Sequence, residues 1–357
     1  MWQVYGQDHL LRQIEPSLAQ DRLSHACLLT GPPHVGKMTL ALNLAQAVNC
    51  LQGPGIPCGS CTQCNRIANH LHADVRVVGV PENGEESRSS RTVIGIDDIK
   101  EVLRSVNLNP FEGSTSVIIL DGGEFMSPAA ANALLKTLEE PPTHVMFLLL
   151  AADEEAVLPT VRSRCQVFAL LPLSKEAMIE RLTRDREIAP KDAERLYRFS
   201  RGCLGWAIRA LDDLQVLEQR QADTERMQEA LDSGLETRFA YANEIASLFV
   251  SDRYAVRDLL ALWLRWWRDL LLIKEGAQEY LHNVDQADAL RTQAAGLSTP
   301  QIVEFIRRLM GTMTALDENA SARLAMEVLM LNLPMGRPEY DSHSRCSMKE
   351  RRLGDLR

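Results

Sequence analysis

The spacing of apolar residues changes character about half-way along the chain. Up to residue 151, short unbroken apolar runs alternate with stretches of helical spacing; beyond about residue 173 only the helical period remains. Residues 8–20 set Leu10, Leu11, Ile14 and Leu18 on one helical face. Ala26-Cys27-Leu28-Leu29-Thr30 predicts a buried strand, and residues 39–48 predict a helix. Residues 50–64, rich in Gly and Pro, read as a loop. Residues 74–80 read as a strand and 81–92 as a polar loop. Residues 96–106 read as a helix with Asp97 at its acidic start. Ser116-Val117-Ile118-Ile119-Leu120-Asp121 is a second buried strand and 145–150 a third. Between them lies a helix over 128–140, opened by Pro128 and stopped by Pro141-Pro142. This alternation predicts α/β architecture, a parallel sheet with helices on its faces.

After residue 173 the pattern predicts an all-α region. Residues 174–212 hold two or three short helices around Ser200-Arg201-Gly202. Longer helices are expected at 254–275 and 299–331, and 336–357 reads as a loose polar tail. A length of 357 residues implies two or three domains. An aromatic content of 5% argues against an all-β protein, and a net charge of −9 argues against nucleic acid as the principal partner of the lone chain. Met1-Trp2-Gln3-Val4 carries no basic start or apolar run, so a cytoplasmic protein is expected. The apolar stretch from Leu259 to Ile273 contains Arg265, Arg268 and Asp269, and reads as a buried amphipathic helix rather than a membrane span. Trp263, Trp266 and Trp267 beside Leu259 and Leu270 suit either a core or a partner surface.

Two motifs carry chemistry. Gly31-Pro32-Pro33-His34-Val35-Gly36-Lys37-Met38-Thr39, between a strand and a helix, has the form of a phosphate loop: glycines bring backbone N–H groups close to phosphates and Lys37 adds charge. The bland alternative is a glycine turn without a ligand. The residue after the lysine is normally Ser or Thr, whose hydroxyl binds magnesium; Met38 offers a soft thioether, and Thr39 is one position late, about 100° round the helix. Asp121 ends its strand as a metal-side acid would, but Gly122-Gly123 follow where a water-orienting acid belongs, with Glu124 displaced. Binding without efficient hydrolysis is the expectation.

The second motif is Cys50 with Cys58-x-x-Cys61-x-x-Cys64, four thiols that suit a closed structural zinc site better than an iron–sulfur cluster. His70 and His72 are expected to be surface or core residues, since four sulfurs complete the set. Cys27, Cys165, Cys203 and Cys346 are isolated and read as ordinary residues.

Further stretches complete a resemblance. Gly6-Gln7, Ser24-His25-Ala26, Ala130-Ala131-Asn132-Ala133-Leu134-Leu135-Lys136-Thr137-Leu138-Glu139-Glu140-Pro141-Pro142 and Thr160-Val161-Arg162-Ser163-Arg164-Cys165, with the loop and the cysteines, resemble the clamp-loader subunits of bacterial DNA polymerase III, AAA+ proteins, and among them the delta-prime type. The likeness is best over 1–210; Ala322-Arg323-Leu324-Ala325-Met326-Glu327 is similar to the family's C-terminal helices. The resemblance implies an AAA+ P-loop domain over 1–170 with an inserted zinc module at 50–64, a helical lid over 171–213 and a helical collar over 214–335. It implies that Arg164 is an arginine finger supplied in trans to a neighbouring gamma/tau-like ATPase. Other implied partners are a delta-like clamp opener and, through the complex, a sliding clamp and primed DNA, with no membrane. ATP or ADP would be held by 31–39, Asp121 and Arg209 (a second sensor, or equally a structural helix residue) without efficient hydrolysis. Met38, Gly122 and Ala151-Ala152 depart from the family's motor subunits. The competing expectations are an autonomous clamp-loader ATPase and a zinc-bearing nucleic-acid-binding protein.

Overall fold

The computed structural model describes residues 1–20, 22–79, 93–318 and 320–334; the polar loop expected at 81–92, the tail expected at 336–357 and Cys346 lie outside them. The chain forms two compact units, residues 1–220 with 248–254, and residues 221–247 with those from 255 onward. The first opens with α1 (Asp8–Ala19), β1 (Ala26–Thr30), α2 (Lys37–Asn49), α3 (Thr62–Ala68), β2 (Val75–Gly79) and α4 (Ile96–Val106). It continues through β3 (Ser116–Asp121), a 3-10 turn at Gly123–Phe125, α5 (Pro128–Glu139), β4 (Val145–Ala151), α6 (Pro159–Arg162) and β5 (Gln166–Ala169). Three helices follow, α7 (Lys175–Arg186), α8 (Pro190–Ser200) and α9 (Leu204–Asp212).

All the strand pairs are parallel, in the order β2-β3-β4-β1-β5. β1, β3 and β4 are apolar almost without a break because both faces are covered, as parallel sheets require. Alternate residues feed two cores. Cys27, Leu29, Ile119 and Leu148 meet Leu10 and Ile14 of α1 and Leu40 and Leu44 of α2. Leu28, Ile118, Phe147 and Leu149 meet Ile99 and Val102 of α4 and Leu134 and Leu138 of α5.

The sequence pattern missed β5 and α6, each only four residues long; three of the four β5 residues are exposed, so no apolar run marks the strand. It also read 50–64 as loop throughout. Cys61 instead caps α3, its sulfur accepting from the Cys64 N–H, so the last cysteine rides on a helix.

Polar side chains at the end of α2 tie this region down. Asn43 accepts from the N–H groups of Gln3 and Val4 and donates to Gln46, which donates to the Cys64 carbonyl. Asn49 accepts from the N–H groups of Ser114 and Thr115. Asp74, nearly buried, accepts from the N–H groups of Phe111, Glu112 and Gly113 at 2.7, 2.8 and 2.7 Å. These anchors hold the turn that leads into β3.

The second unit is helical: the later part of α10 (Gln215–Asp232), α11 (Leu235–Ser251) as far as Ser247, α12 (Arg253–Lys274) from Ala255, then α13 (Ala287–Gly296), α14 (Thr299–Asp317) and α15 (Ala322–Leu331); the end of α11 and the start of α12 belong to the first unit. The continuous helix expected over 299–331 is instead two: α14 ends at Asp317, and the Ser321 hydroxyl caps α15, which begins at Ala322, by accepting from the Leu324 N–H. Trp263, Trp266 and Trp267 are core residues, all but fully buried. Trp267 stacks 4.2 Å from Phe305, and Trp266 Nε1 donates to Gln293. Asp269 is buried among them; it accepts from the Asn283 side chain and from the N–H groups of His282 and Asn283, and burial pushes its pKa up. Among the described residues no helix is long and apolar enough to cross a membrane.

Burial works against the Asp74 charge, but the three N–H groups outweigh it and hold its pKa below the usual carboxylate value. A depressed folded pKa gives stability that is present above the unfolded pKa of about 3.9 and lost as pH falls through the folded value. Thermal melts are therefore expected to show Asp74→Ala destabilised by about 2–4 kcal/mol near neutral pH, with its deficit shrinking below about pH 4. A deficit that stayed constant down to pH 2 would remove the charge from the account.

Candidate nucleotide loop and metal centre

Parallel pairing brings the candidate residues to one edge of the sheet. Thr30, which leads into the glycine loop, is in register with Ala151, and Leu150 with Asp121. The two strand spacings between β1 and β3 set Asp121 roughly 10 Å from the start of the loop.

Residues 31–36 fold over the start of α2. Gly31 has φ 142° and packs so closely on the chain that a Cβ there would stand 2.6 Å from the Leu170 carbonyl oxygen. Gly36 caps α2 at φ 110°, a conformation that L side chains rarely adopt. α2 begins at Lys37, two residues earlier than the apolar pattern suggests, so the first-turn N–H groups of Lys37, Met38 and Thr39 sit at the loop. Lys37 Nζ folds back to donate to the carbonyls of Gly31 (2.6 Å) and Pro32 (3.0 Å). Met38 packs against the core between β1 and α2, which accounts for an apolar residue where a metal hydroxyl is usual. Thr39 is half-buried.

The loop apex is held from the helical side. His34, at φ 61°, accepts from the Gly205 N–H at 3.0 Å; a Cβ on Gly205 would lie 2.7 Å from that same carbonyl oxygen. Pro33 stands exposed beside it, while Val35 is buried in the core. Arg209 lies one turn after Gly205 on the same face of α9 and is exposed, and its side chain makes no hydrogen bond or ion pair among the described residues. At the hinge between β5 and α7, the Gln7 side chain pairs with both the N–H and the carbonyl of Leu171.

The acid end of the sheet is sealed. Gly122 has φ 87°, and a Cβ there would meet Tyr254 Oη at 2.7 Å and the Phe125 ring at 2.8 Å. Tyr254 packs edge-on against Phe125 with centroids 5.2 Å apart, and buried Arg253 lies over Phe125 and Phe249. Glu124 is engaged elsewhere, accepting from the Ala152 N–H. No acidic side chain fits directly after Asp121, so Gly122→Glu is not a route to restoring one.

The four cysteines converge as the spacing predicts. Their sulfurs lie within 4.8 Å of one another, with Cys58 and Cys64 at 3.9 Å. Sulfurs at tetrahedral corners about 2.3 Å from one ion stand roughly 3.8 Å apart. The set therefore fits a single ion, whereas a cluster of several metals would spread it. An ion held by all four would have no coordination position left for substrate, which is the arrangement of a structural site. The Ser60 and Cys61 N–H groups lower the Cys58 pKa to about 6, while burial raises that of Cys64 to about 12; a bound cation deprotonates such a thiol. His72 is buried, its Nδ1 accepting from the Asp74 N–H, and lies outside the set, as does His70.

Arg164 follows α6, just before β5. Its Nε donates to Glu139 at 2.9 Å, Nη2 makes a second contact to the same carboxylate, and Nη1 donates to the Thr160 carbonyl at 2.8 Å.

A family model described as DNA polymerase III, delta subunit, matches residues 6–174. The tau subunit of DNA polymerase III from Bacillus subtilis is 29% identical over 290 residues, 81% of this chain and 44% of the relative. The tau subunit from Escherichia coli is 33% identical over 228 residues, 62% and 34%. The delta-prime subunit from Bacillus subtilis is 27% identical over 330 residues, 92% and 97%. These matches support membership in the bacterial DNA polymerase III clamp-loader family. The chain spans less than half of the two tau subunits and nearly all of the delta-prime subunit.

Reading the clamp-loader motifs one by one missed Tyr254 and the partnership of Glu139 with Arg164. Tyr254 gives no signal, being 132 positions from the glycine it covers. The second had one: Glu139 and Arg164 both lie in motifs singled out for the resemblance.

Elemental analysis is expected to find one metal ion per chain, largely lost in Cys58→Ser; a chain purified without metal yet equally stable would refute a structural centre. Gly122→Ala is expected to lower stability by about 2–4 kcal/mol through strain and overpacking. Tyr254→Phe, which removes the obstructing hydroxyl, should recover about 1 kcal/mol of that loss. Additive effects in the denaturant cycle would place Tyr254 elsewhere.

Proposed function

We propose that this chain is the delta-prime-type subunit of the clamp loader, a scaffold that turns over little or no ATP itself and supplies Arg164 in trans to a neighbouring gamma/tau-like ATPase. The observation that carries this is the contrast between the two ends of its chemistry. The chain's own acid end is closed over Gly122, while Arg164 is held at the surface by Glu139 and Thr160. The near-complete overlap with a delta-prime subunit, against partial overlap with tau subunits, supports the same choice.

In this reading residues 1–170 are an AAA+ domain, 171–213 a lid and 214–335 a collar that packs with partner subunits. The loop 31–39 cradles the phosphates of ATP or ADP through its N–H groups, with Lys37 exchanging its own carbonyl contacts for phosphate oxygens. Asp121 faces the same edge, and Arg209 reaches the nucleotide from α9. The four cysteines hold zinc, which fixes α3 against α2 through the Gln46 contact. The assembly is cytoplasmic, includes a delta-like clamp opener, and places a sliding clamp on primed DNA. An autonomous motor is opposed by Met38 packing into the core and by the closed space at Gly122. A guanidinium suits the trans role because it stays charged and bridges phosphate oxygens as charge develops on the transferred group.

The isolated chain is expected to show no ATP turnover above background. In a complex reconstituted with gamma/tau and delta subunits, Arg164→Ala should lower ATPase by up to about 10³-fold while the complex elutes at unchanged size. Steady turnover by the lone chain, or an unaltered complex after Arg164→Ala, would end this reading.

A further inference from the structure

Three stretches picked out separately in the sequence meet at one point. α5 ends at Glu139, leaving its last carbonyls without helical partners. His25, at the entry to β1, donates from Nε2 to the Leu138 carbonyl at 2.9 Å, satisfying one of them. Phe147 N–H donates to the His25 carbonyl, so the histidine backbone is itself fixed by the β4 strand. The next residue, Glu139, receives the Nε and Nη2 edge of Arg164 on its Oε1. Nη1 donates to the Thr160 carbonyl at 2.8 Å and to the Ser163 hydroxyl at 3.4 Å, and that hydroxyl donates to the same carbonyl.

Guanidinium has two forks, a side edge of Nε and Nη2 and a terminal edge of Nη1 and Nη2. Glu139 occupies the side edge. Nη1 and Nη2 each carry two N–H groups, so beside the Glu139 and Thr160 contacts the terminal edge can still offer one donor from each nitrogen to two phosphate oxygens, Nη1 giving up its longer Ser163 contact.

As a source of fold stability this pair counts for little, because both side chains are substantially exposed. Its effect lies in orientation. A free arginine spreads over many rotamers, and ordering it at the moment of use costs roughly three- to tenfold in rate. Against this, the Glu139 charge weakens the cation toward a phosphate. In a solvated setting that opposition is small, so the orienting effect prevails.

We propose that Glu139 and His25 are positioning residues for Arg164: His25 fixes the end of α5, and Glu139 at that end presents the terminal edge of the guanidinium to the neighbouring subunit's nucleotide. The inference rests on the trans role proposed above and adds the two residues that make the arginine ready before the neighbour arrives.

The test uses the reconstituted complex with gamma/tau and delta subunits and reads kcat and KM for ATP separately. Glu139→Ala is expected to lower kcat about three- to tenfold with KM within about twofold, since the finger acts in the transition state and the neighbour holds the nucleotide. Glu139→Gln keeps an acceptor oxygen at the same place and should restore most of the rate. His25→Phe should lower kcat about threefold, and His25→Gln, whose amide can still donate to Leu138, should recover it. Arg164→Ala is measured beside them. If Arg164→Ala slows the complex and Glu139→Ala does not, or speeds it, the positioning role is overturned while the trans role stands. If Arg164→Ala has no effect, both fall together. A Glu139→Gln variant as slow as Glu139→Ala would assign the effect to charge rather than orientation and also overturn the proposal.

Discussion

Parallel pairing of β1, β4 and β3 is the constraint from which the site follows. In a parallel sheet every strand delivers its C-terminal end to the same edge, and helical crossovers return the chain to the other side. The register of Thr30 with Ala151 and of Leu150 with Asp121 therefore fixes the glycine loop, the Ala151-Ala152 turn and the acid end as neighbours, whatever the intervening sequence does. Burial on both faces keeps that register, because a one-residue slip would exchange the two cores. β1 is flanked by β4 and β5, so the loop that follows it emerges between two supported neighbours and can fold against Leu170 on one side and Gly205 on the other.

Within that frame the departures from an ATPase are packed in, beyond being simple substitutions. Met38 contributes to the core, so a hydroxyl there would remove apolar contact as well as add a ligand. Gly122 sits in the left-handed region beneath Tyr254, so an acid at this position would need a new backbone conformation and a vacated ring. Losses of this kind are hard to reverse singly, because each restored group conflicts with a neighbour that has filled its space. The glycine loop shows the opposite pattern. Gly31 and Gly36 still hold strained or close-packed conformations, and Lys37 still lies over the loop.

How far the sequence revealed this depended on whether the signal was local. Buried strands announced themselves as apolar runs, and the cysteine spacing anticipated convergence of the four sulfurs. α3 was hidden because its helix is seven residues long and opens inside a Gly- and Pro-rich stretch. β5 was hidden because only Phe168 of its four residues is buried. The break between α14 and α15 depended on one serine capping a new helix in a region whose apolar period runs straight through. The tryptophans suited core and interface equally on composition, and only their burial against Phe305 and Gln293 decided it. Tyr254 over Gly122 is a long-range contact between residues with no shared pattern, which a single sequence does not encode in readable form.

The metal centre and Arg164 sit at opposite ends of this scale for an energetic reason. Four thiols able to hold one ion would contribute directly to folding once it binds, so their spacing has to be one that a single loop and helix can close. Arg164 contributes almost nothing to folding, because its pair with Glu139 is solvated. Its placement instead depends on elements chosen for other reasons: the end of α5, the turn of α6 and the first residues of β1. In the trans role proposed for it, Arg164 has to be ordered by its own chain without being buried in it. A carboxylate on a capped helix end meets that requirement, since the backbone beneath it is rigid and the ion pair above it can still exchange with water or phosphate.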